Sequence, residues 1–317
     1  MLRFPKPRLI DCGDASLAVH EAGDGPPIVL CHGFPELAFS WRHQIHALAD
    51  AGFHVMAPDL RGYGRSDKPF GVEHYAIDPL IGDLTGLLDM YGYEDAVFVG
   101  HDWGALLLWH MALLAPTRMR GLANLNIPFA PRRDIDPMVL SRELLGDDFY
   151  IVNFQDSNEA DKAFDANPEQ FLRAMYRRLP ATREAFDRLP ADQRHAFSML
   201  REMHKATLPG TPLFDDETLA VYVRAFREGG FTAPINWYRN WSANWARMAD
   251  VPQQIHVPTL FIGANDDVLI APQHIEAMKP YVDTLELHVL ADCGHWTQQE
   301  HPKTVNRLLI DWLRRLP

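Results

Sequence analysis

The sequence predicts an α/β protein with a mostly parallel central sheet flanked by helices and interrupted by one inserted α-helical cap. Short apolar runs alternate with amphipathic runs up to residue 126 and again from residue 246 onward. This alternation is typical of strands that are connected through helices into a parallel sheet. Residues 127–245 instead carry Arg, Phe, Met and Leu at helical spacing, with proline interruptions. We therefore expect a core of residues 1–126 and 246–317 and a cap of residues 127–245 without a convincing strand.

The first part of the core is expected to contain strands and helices in alternation. Each expected strand is a short, mostly apolar run bounded by turn-forming residues, and each expected helix is a longer amphipathic run. The strands are expected at 8–12, 15–21, 28–31, 53–57, 96–100 and 121–126, and the helices from about 41, over 77–91 and after 102.

The same rhythm is expected to resume after the cap. "VPTLFIGAND" and "LELHVLADCGH" each begin with an apolar run and end in polar residues, as strands that lead into functional loops do. A helix is expected near 272–279, and an amphipathic helix over about 304–315 closes the chain.

Composition excludes several classes of function. The net charge of -12 argues against nucleic acid or an anionic membrane as the main partner. The apolar run around 105–115 is broken by His110 and is too short to span a bilayer, and the N-terminus lacks the apolar core of a secretory signal. Three scattered cysteines suit a reducing cytoplasm better than a disulfide framework. We expect a cytoplasmic monomer or homodimer.

No metal or cofactor is expected. The sequence has no CxxC motif and no histidine-rich cluster with metal-ligand spacing. His43 and His46 lie one turn apart on an expected helix, and we interpret them as solvated or helix-packing side chains.

The stretch "FVGHDWGALLL" places Asp102 at a sharp turn between a strand and a helix. Gly100 and Gly104 flank it, which is typical of a nucleophile elbow, where no room is left for larger side chains. The helix N-terminus favours an ionised carboxylate at this position. An N-capping aspartate is the alternative interpretation.

A nucleophile at an elbow requires a histidine late in the chain and an acid between the two. His295 in "LADCGHWTQQEHP" follows the last expected strand, whereas His301 is expected at the start of the final helix. "LFIGANDDVLIAP" offers Asp266 and Asp267 as the acid; the strand end favours Asp266, with Asp267 as the alternative. Asn126, at the end of an earlier strand, cannot serve as an acid.

The loop "CHGFPE" follows another apolar strand. In this position the backbone N–H of Phe34 is expected to form an oxyanion hole together with the N–H of Trp103. The Phe34–Pro35 peptide is a candidate for the cis form.

Together with "DLRGYGRSD", "NWYRN" and "DCGHWTQQEHPKTVNRLLIDWL", these motifs make the chain resemble an α/β-hydrolase-fold epoxide hydrolase. The resemblance extends over essentially the whole length of the chain, which is similar to the hydrolase domain of soluble epoxide hydrolases. It implies that Tyr150 and Tyr238 of the cap donate hydrogen bonds to the oxygen of a small-molecule epoxide. Phe34, Pro35 and Trp103 are expected to line the substrate site beside them.

An aspartate at the elbow suits a substrate that has no carbonyl group. A carboxylate can displace at sp³ carbon and form an ester on the enzyme, which a histidine-activated water then hydrolyses. The predicted product is a vicinal diol, and Asp102, His295 and Asp266 form the predicted triad.

Two alternatives remain open from the sequence. A haloalkane or haloacid dehalogenase would share the triad but would need halide-binding donors, for which Trp103 is one candidate. A non-catalytic binding protein of the same fold would be expected to lack a triad residue. An esterase is disfavoured because no serine stands at the elbow.

Overall fold

The computed structural model describes residues 4–178, 182–188 and 198–316, and an eight-stranded sheet lies at its centre. The strands, numbered along the chain, are β1 (Arg8–Asp11), β2 (Ser16–Ala22), β3 (Pro27–Cys31), β4 (His54–Asp59), β5 (Ala96–His101), β6 (Met119–Leu125), β7 (Arg177–Arg178), β8 (Thr211–Pro212), β9 (Thr259–Ala264) and β10 (Leu285–Leu290). The central sheet has the order β1-β2-β4-β3-β5-β6-β9-β10. Its first two pairings are antiparallel and the rest are parallel, so the predicted mostly parallel sheet is confirmed.

Helices connect the strands and lie on both faces of the sheet. The α-helices are α1 (Gln44–Asp50), α2 (Ile77–Tyr91), α3 (Trp103–Leu114), α4 (Pro137–Leu145), α5 (Tyr150–Asp156), α6 (Glu159–Ala166), α7 (Pro168–Met175), α8 (Arg183–Asp187), α9 (Met199–Met203), α10 (Asp216–Gly229), α11 (Thr232–Arg239), α12 (Trp241–Arg247), α13 (Pro272–Met278), α14 (Thr297–Glu300) and α15 (Pro302–Leu313). Short 3₁₀ turns lie at Ala38–Trp41, Glu73–Tyr75, Pro116–Arg118 and Lys279–Tyr281. The core strands and helices begin and end close to their predicted bounds. The exception is the helix expected from residue 41, which divides into a 3₁₀ turn and α1.

The inner strands are buried on both faces, as parallel strands covered by helices must be. In β5, Val97 and Val99 point into a cluster formed with α1 and α15, while Phe98 points into the cluster on the opposite face. Every residue of β5 is buried. The strand that leads to Asp102 is thus held rigidly from both sides.

The chain between β6 and β9 forms the inserted helices α4 to α12. The expectation of no strand here is wrong, because β7 and β8 pair antiparallel. Two-residue strands are too short to leave a periodic signal in a sequence. Residues 179–181 and 189–197 of the expected cap lie outside the described residues, and α12 runs past residue 245, so the cap boundaries stay a prediction.

The inserted helices pack on the chain that follows β3, β4 and β5. The indole N–H of Trp237 donates to the backbone oxygen of Arg61 at 3.0 Å, and the Tyr176 hydroxyl donates to the backbone oxygen of Pro35. The ring of Tyr238 lies edge-on to Trp103, with 4.9 Å between centroids. In the part of the chain that the structure describes, no helix is long and apolar enough to cross a membrane.

Two glycines of α2 test how this helix packs against the chain at the end of β1. Gly82 is exposed with open space around it, whereas a Cβ on Gly86 would lie 2.2 Å from the backbone oxygen of Cys12. We expect Gly82→Ala to raise the free energy of unfolding by about 0.5–1 kcal/mol, because alanine is the better helix former. Gly86→Ala should lower it by about 1–3 kcal/mol through overpacking. Urea unfolding measures both, and equal effects of the two variants would contradict the packing of α2 on β1.

Candidate active site

Asp102 lies at the turn between β5 and α3 in a strained backbone conformation. Its φ of 51° and ψ of -118° belong to a region that residues other than glycine rarely adopt. A Cβ on Gly33 would lie 2.4 Å from the Asp102 side chain, and one on Gly104 would lie 2.1 Å from the backbone oxygen of Cys31. A Cβ on Gly100 would lie 2.8 Å from the backbone of α3. The glycines around Asp102 therefore provide the space that the predicted elbow requires.

The Asp102 side chain makes no capping hydrogen bond to α3, so its contacts do not support the N-cap interpretation. Its Oδ1 instead accepts a hydrogen bond of 2.8 Å from the backbone N–H of Phe34. Burial raises the pKa of Asp102, while the charges of His295 and His101 and the N–H groups of Phe34 and Trp103 act in the opposite direction. Both expected oxyanion-hole donors thus face this carboxylate.

His295 lies between two carboxylates. Its Nε2 is 3.7 Å from Asp102 Oδ2, and its Nδ1 is 2.9 Å from Asp267 Oδ2. The structure therefore corrects the preference for Asp266, since Asp267 is the acid that contacts the imidazole. His301 begins the final helix as expected, with its ring against the backbone oxygen of Asp292.

Asp266 points away from His295. Past the end of β9 the chain makes a turn, in which the Asp267 N–H donates to the backbone oxygen of Ala264 at 3.4 Å. The Asp266 N–H donates to the backbone oxygen of Cys293, beyond the end of β10, at 2.9 Å. This turn directs the two successive aspartates to different partners. Asp266 Oδ1 accepts from the backbone N–H of Arg183, in the inserted segment, at 2.9 Å. The end of the predicted strand located the two candidate aspartates, and the turn that follows it determines which of them contacts His295.

Asn126 is a site residue that sequence reasoning did not assign. Its Nδ2 donates to Asp267 Oδ2 at 2.8 Å, and the N–H of Leu269 donates to Oδ1 at 3.0 Å. Although burial opposes ionisation, His295, Asn126 and Leu269 together lower the pKa of Asp267. The signal in the sequence was a polar residue at the end of β6. Asn126 cannot be the acid itself, but its hydrogen bond orients the acid.

The protonation of His295 follows from its carboxylate neighbours. Burial disfavours the imidazolium, but the charge and hydrogen bond of Asp267 and the charge of Asp102 raise the pKa of His295 to about 9. Removal of either negative charge would bring that pKa down.

The two expected tyrosines lie together above Asp102. Tyr150 is the first residue of α5 and Tyr238 lies on α11, with 5.8 Å between ring centroids. Burial, followed by the charge of Asp102, raises the pKa of both phenols, so both stay protonated donors at neutral pH. The ring of Phe34 lies 5.3 Å from that of Tyr238.

Further aromatic side chains surround this group. Trp241 lies 5.1 Å from the Trp103 ring, and Phe154 lies 5.1 Å from Tyr238. The Phe34–Pro35 peptide is cis, which confirms that prediction. Within residues 4–178, 182–188 and 198–316, no group of three or more His, Cys, Asp or Glu side chains is arranged to hold a metal ion.

The fold and this arrangement agree with a known family. A model of the α/β hydrolase fold matches residues 26–302. The chain belongs to the α/β hydrolase fold family.

Named relatives define the group within that family. Epoxide hydrolase A of Mycobacterium tuberculosis is 41% identical over 98% of each chain. Bifunctional epoxide hydrolase 2 of Sus scrofa is 37% identical over 92% of this chain, which spans 52% of that longer protein. The crystal structure of Epoxide Hydrolase A from Mycobacterium thermoresistibile superposes with a TM-score of 0.88, at 40% identity over 99% of each chain. The predicted membership among α/β-hydrolase-fold epoxide hydrolases is confirmed.

The adjacent aspartates form a matched pair for testing the site. We expect Asp267→Asn to lower the pKa of His295 from about 9 toward its ordinary value, because the nearest negative charge is lost. Asp266→Asn should leave that pKa in place, since Asp266 contacts Arg183 instead. NMR titration of histidine resonances measures both variants. A fall in the pKa of His295 in the Asp266→Asn protein alone would contradict the contact between Asp267 and His295.

Proposed function

We propose that this chain hydrolyses epoxides to vicinal diols through a covalent ester on Asp102. Epoxide hydrolase activity is supported by the names of its relatives. The observation that supports the mechanism is that the two carboxylate oxygens of Asp102 have different contacts. Oδ1 accepts the Phe34 N–H at 2.8 Å, whereas Oδ2 faces His295 across 3.7 Å.

In the first step, Asp102 Oδ2 attacks an epoxide carbon, and the carbon–oxygen bond of the ring breaks. Oδ1 is held by the backbone N–H of Phe34, so it becomes the carbonyl oxygen of the ester. Tyr150 and Tyr238 lie together on the cap side of Asp102 and are the donors for the oxygen that leaves the ring carbon. Their protonated phenols suit this role, because an alkoxide needs hydrogen-bond donors.

In the second step, water adds to the Asp102 ester carbon while His295 Nε2 takes its proton. The Cγ–Oδ2 bond then breaks, and Oδ2 takes the proton from the His295 imidazolium and leaves as one hydroxyl of the diol. The other hydroxyl is the former ring oxygen, which took up a proton from solvent after the ring opened. The water oxygen stays in the carboxylate, which releases its remaining proton to solvent. The N–H groups of Phe34 and Trp103 stabilise the negative charge that develops on Oδ1. Asp267 holds the imidazole with Nε2 toward the ester.

Esterification prepares His295 for this second step. While Asp102 is ionised, its charge helps to hold the pKa of His295 at about 9, and the ring is mostly protonated at pH 7. The ester is neutral, so that contribution disappears and the pKa falls. Ester formation therefore shifts His295 toward the neutral imidazole that is needed as a base, while Asp267 continues to raise its pKa.

The side chain of Phe34 also favours an epoxide over an alkyl halide as the substrate. Haloalkane enzymes commonly carry Asn where this chain has Phe34, whose ring packs among aromatic residues and offers no side-chain donor. Cytoplasmic location and a monomeric or homodimeric state stay predictions.

Replacement of His295 separates the two steps. We expect wild-type protein to convert a terminal epoxide to its diol and His295→Gln to accumulate protein heavier by one epoxide, because alkylation needs no base. Intact-mass spectrometry detects the adduct, and peptide mapping should place it on Asp102. Asp102→Asn is the control and should gain no mass.

Two results would count against the covalent route. Diol that carries ¹⁸O from labelled water in the first turnover would indicate direct attack by water. Halide release from a haloalkane, without diol formation from any epoxide, would favour a dehalogenase instead.

The tyrosines should act in the first step only. We expect each of Tyr150→Phe and Tyr238→Phe to slow ester formation on the order of 10²-fold, because one donor to a charged transition state is lost. Hydrolysis of an ester already formed should stay near its wild-type rate. Rapid-quench kinetics measures both rates, with Tyr281→Phe as the control, because the Tyr281 ring packs against Phe129. A double variant with full activity would remove both phenols from the mechanism.

A further inference from the structure

Arg239 follows Tyr238 on α11, and the mechanism above assigns it no role. Its mostly buried side chain reaches from α11 to the end of α5. Nε donates to the backbone oxygen of Phe154 at 3.0 Å, and Nη2 donates to that of Ser157 at 3.0 Å. Phe154 lies in the last turn of α5 and Ser157 directly follows this helix, whose first residue is Tyr150. Arg239 therefore connects the backbone next to one phenol with the helix that carries the other.

The remaining donors of Arg239 bind two further side chains. Nη1 and Nη2 donate to the two carboxylate oxygens of Asp161 on α6, at 3.1 and 2.6 Å, and Nη1 also donates to Asn236 Oδ1 at 2.9 Å. A guanidinium carries five N–H donors in a rigid plane, and here each of the five has an acceptor. Asp161 is buried, so this forked ion pair has one geometry, unlike an exposed pair of flexible side chains.

Gln155 makes the reverse connection, from α5 to α11. Its Nε2 donates to the backbone oxygen of Tyr238 at 2.9 Å and to that of Ile151 at 2.9 Å. Ile151 follows Tyr150 in α5. A side chain of each helix thus donates to the backbone of the other, and the contacts lie next to both tyrosines.

The helix α5 depends on partners outside itself. It has seven residues, and a helix of that length is not stable alone in water. The last carbonyl groups of a helix also lack partners within the helix. Arg239 binds the carbonyl of Phe154 in the last turn and places a positive charge where the helix dipole favours one. The orientation of Tyr150, at the other end of α5, therefore depends on Arg239.

We infer that Arg239, Asp161 and Gln155 are positioning residues that hold α5 against α11, so that the phenols of Tyr150 and Tyr238 reach one epoxide oxygen together. This inference rests on the proposed function. Two donors on separate helices can stabilise one alkoxide only when the helices keep a fixed distance.

The aromatic contacts between the tyrosines do not provide that precision alone. The two rings lie 5.8 Å apart by centroids, and aromatic pairs are favourable over a range of about 4.5–7 Å. Hydrogen bonds between N–H and oxygen are confined to about 2.7–3.2 Å. The aromatic rings therefore bring the helices together, and the polar contacts of Arg239 and Gln155 fix their spacing.

The kinetic test uses Arg239→Lys, which keeps the positive charge but loses the planar fork. We expect ester formation to slow on the order of 10-fold, because both phenols lose their fixed positions. Hydrolysis of the ester should stay near its wild-type rate, since the phenols act in the first step only. Rapid-quench kinetics measures both rates, and equal slowing of the two steps would overturn the inference.

Arg173→Lys is the matched control for this substitution. Arg173 lies on α7 and pairs with the exposed carboxylates of Glu169 and Asp216. Exposed ion pairs contribute little to the geometry of a fold. Arg173→Lys should therefore change neither rate.

A double-mutant cycle shows whether the effect of Arg239 passes through the phenols. The cycle is measured in His295→Gln protein, where ester accumulates and intact-mass spectrometry follows its formation. Arg239→Lys should slow ester formation on the order of 10-fold when both tyrosines are present. In the Tyr150→Phe, Tyr238→Phe protein it should slow the reaction by less than about twofold. An undiminished effect without the phenols would overturn the inference.

Gln155→Met provides a second variant for the case in which urea unfolding shows that Arg239→Lys does not fold. It removes one donor to the backbone of Tyr238 and leaves the ion pair of Arg239 and Asp161 in place. We expect ester formation to slow about threefold, as for the loss of one neutral hydrogen bond, with ester hydrolysis unchanged. In that case, an unchanged rate of ester formation in Gln155→Met would overturn the inference.

The positions of the phenols are also tested without substrate. Protein labelled with 3-fluorotyrosine is examined by ¹⁹F NMR, and Tyr150→Phe and Tyr238→Phe assign the two resonances. We expect Arg239→Lys to shift or broaden both resonances and Arg173→Lys to leave them unchanged. If neither resonance changes in Arg239→Lys, the inference is overturned. If both change while wild-type protein forms no ester, the positioning of the phenols stands and the proposed function fails instead.

Discussion

The positive φ of Asp102 is the constraint on which the rest of the site depends. A sharp turn directs the side chain away from α3 and toward the β3 loop, where the Phe34 N–H meets Oδ1. That approach is possible only because Gly33 and Gly104 lack side chains, since a Cβ on either would overlap its neighbours. The strain is maintained because β5 is buried on both faces and cannot relax. The proposed nucleophile, the proposed oxyanion hole and the flanking glycines therefore form one local arrangement.

The site also buries several carboxylates beside histidines. Three carboxylates, those of Asp102, Asp267 and Glu36, lie close together, and burying them without counter-charges would be strongly unfavourable. Asp267 contacts His295 at 2.9 Å, and Glu36 contacts His101 at 2.7 Å. The first pair, together with the charge of Asp102, raises the pKa of His295 to about 9. In the second pair, the other ring nitrogen of His101 lies 2.8 Å from the backbone oxygen of His295. Each buried carboxylate of these two pairs thus has a histidine beside it.

The inserted helices contribute the parts of the site that the core lacks. Tyr150 and Tyr238 come from separate helices, and they meet over Asp102 because aromatic side chains pack around the Phe34 ring. The crystal structure of Epoxide Hydrolase A from Mycobacterium thermoresistibile shares this overall architecture. This aromatic packing brings the phenols close to the carboxylate, so contacts that hold the insertion on the core also place the proposed donors.

The sequence by itself determined the sheet, the helical interruption, the elbow at Asp102 and the late His295, because each is encoded in a local run of residues. Periodicity and turn residues report the conformation of a short segment, and motif order reports which loops meet above a parallel sheet. Tertiary structure decided that Asp267 contacts His295, since the turn past β9 is hydrogen-bonded to the chain beyond β10. It also decided the partners of His101, because Glu36 and His295 stand 65 and 194 residues away. Hydrogen-bond partners so distant leave no pattern in the sequence.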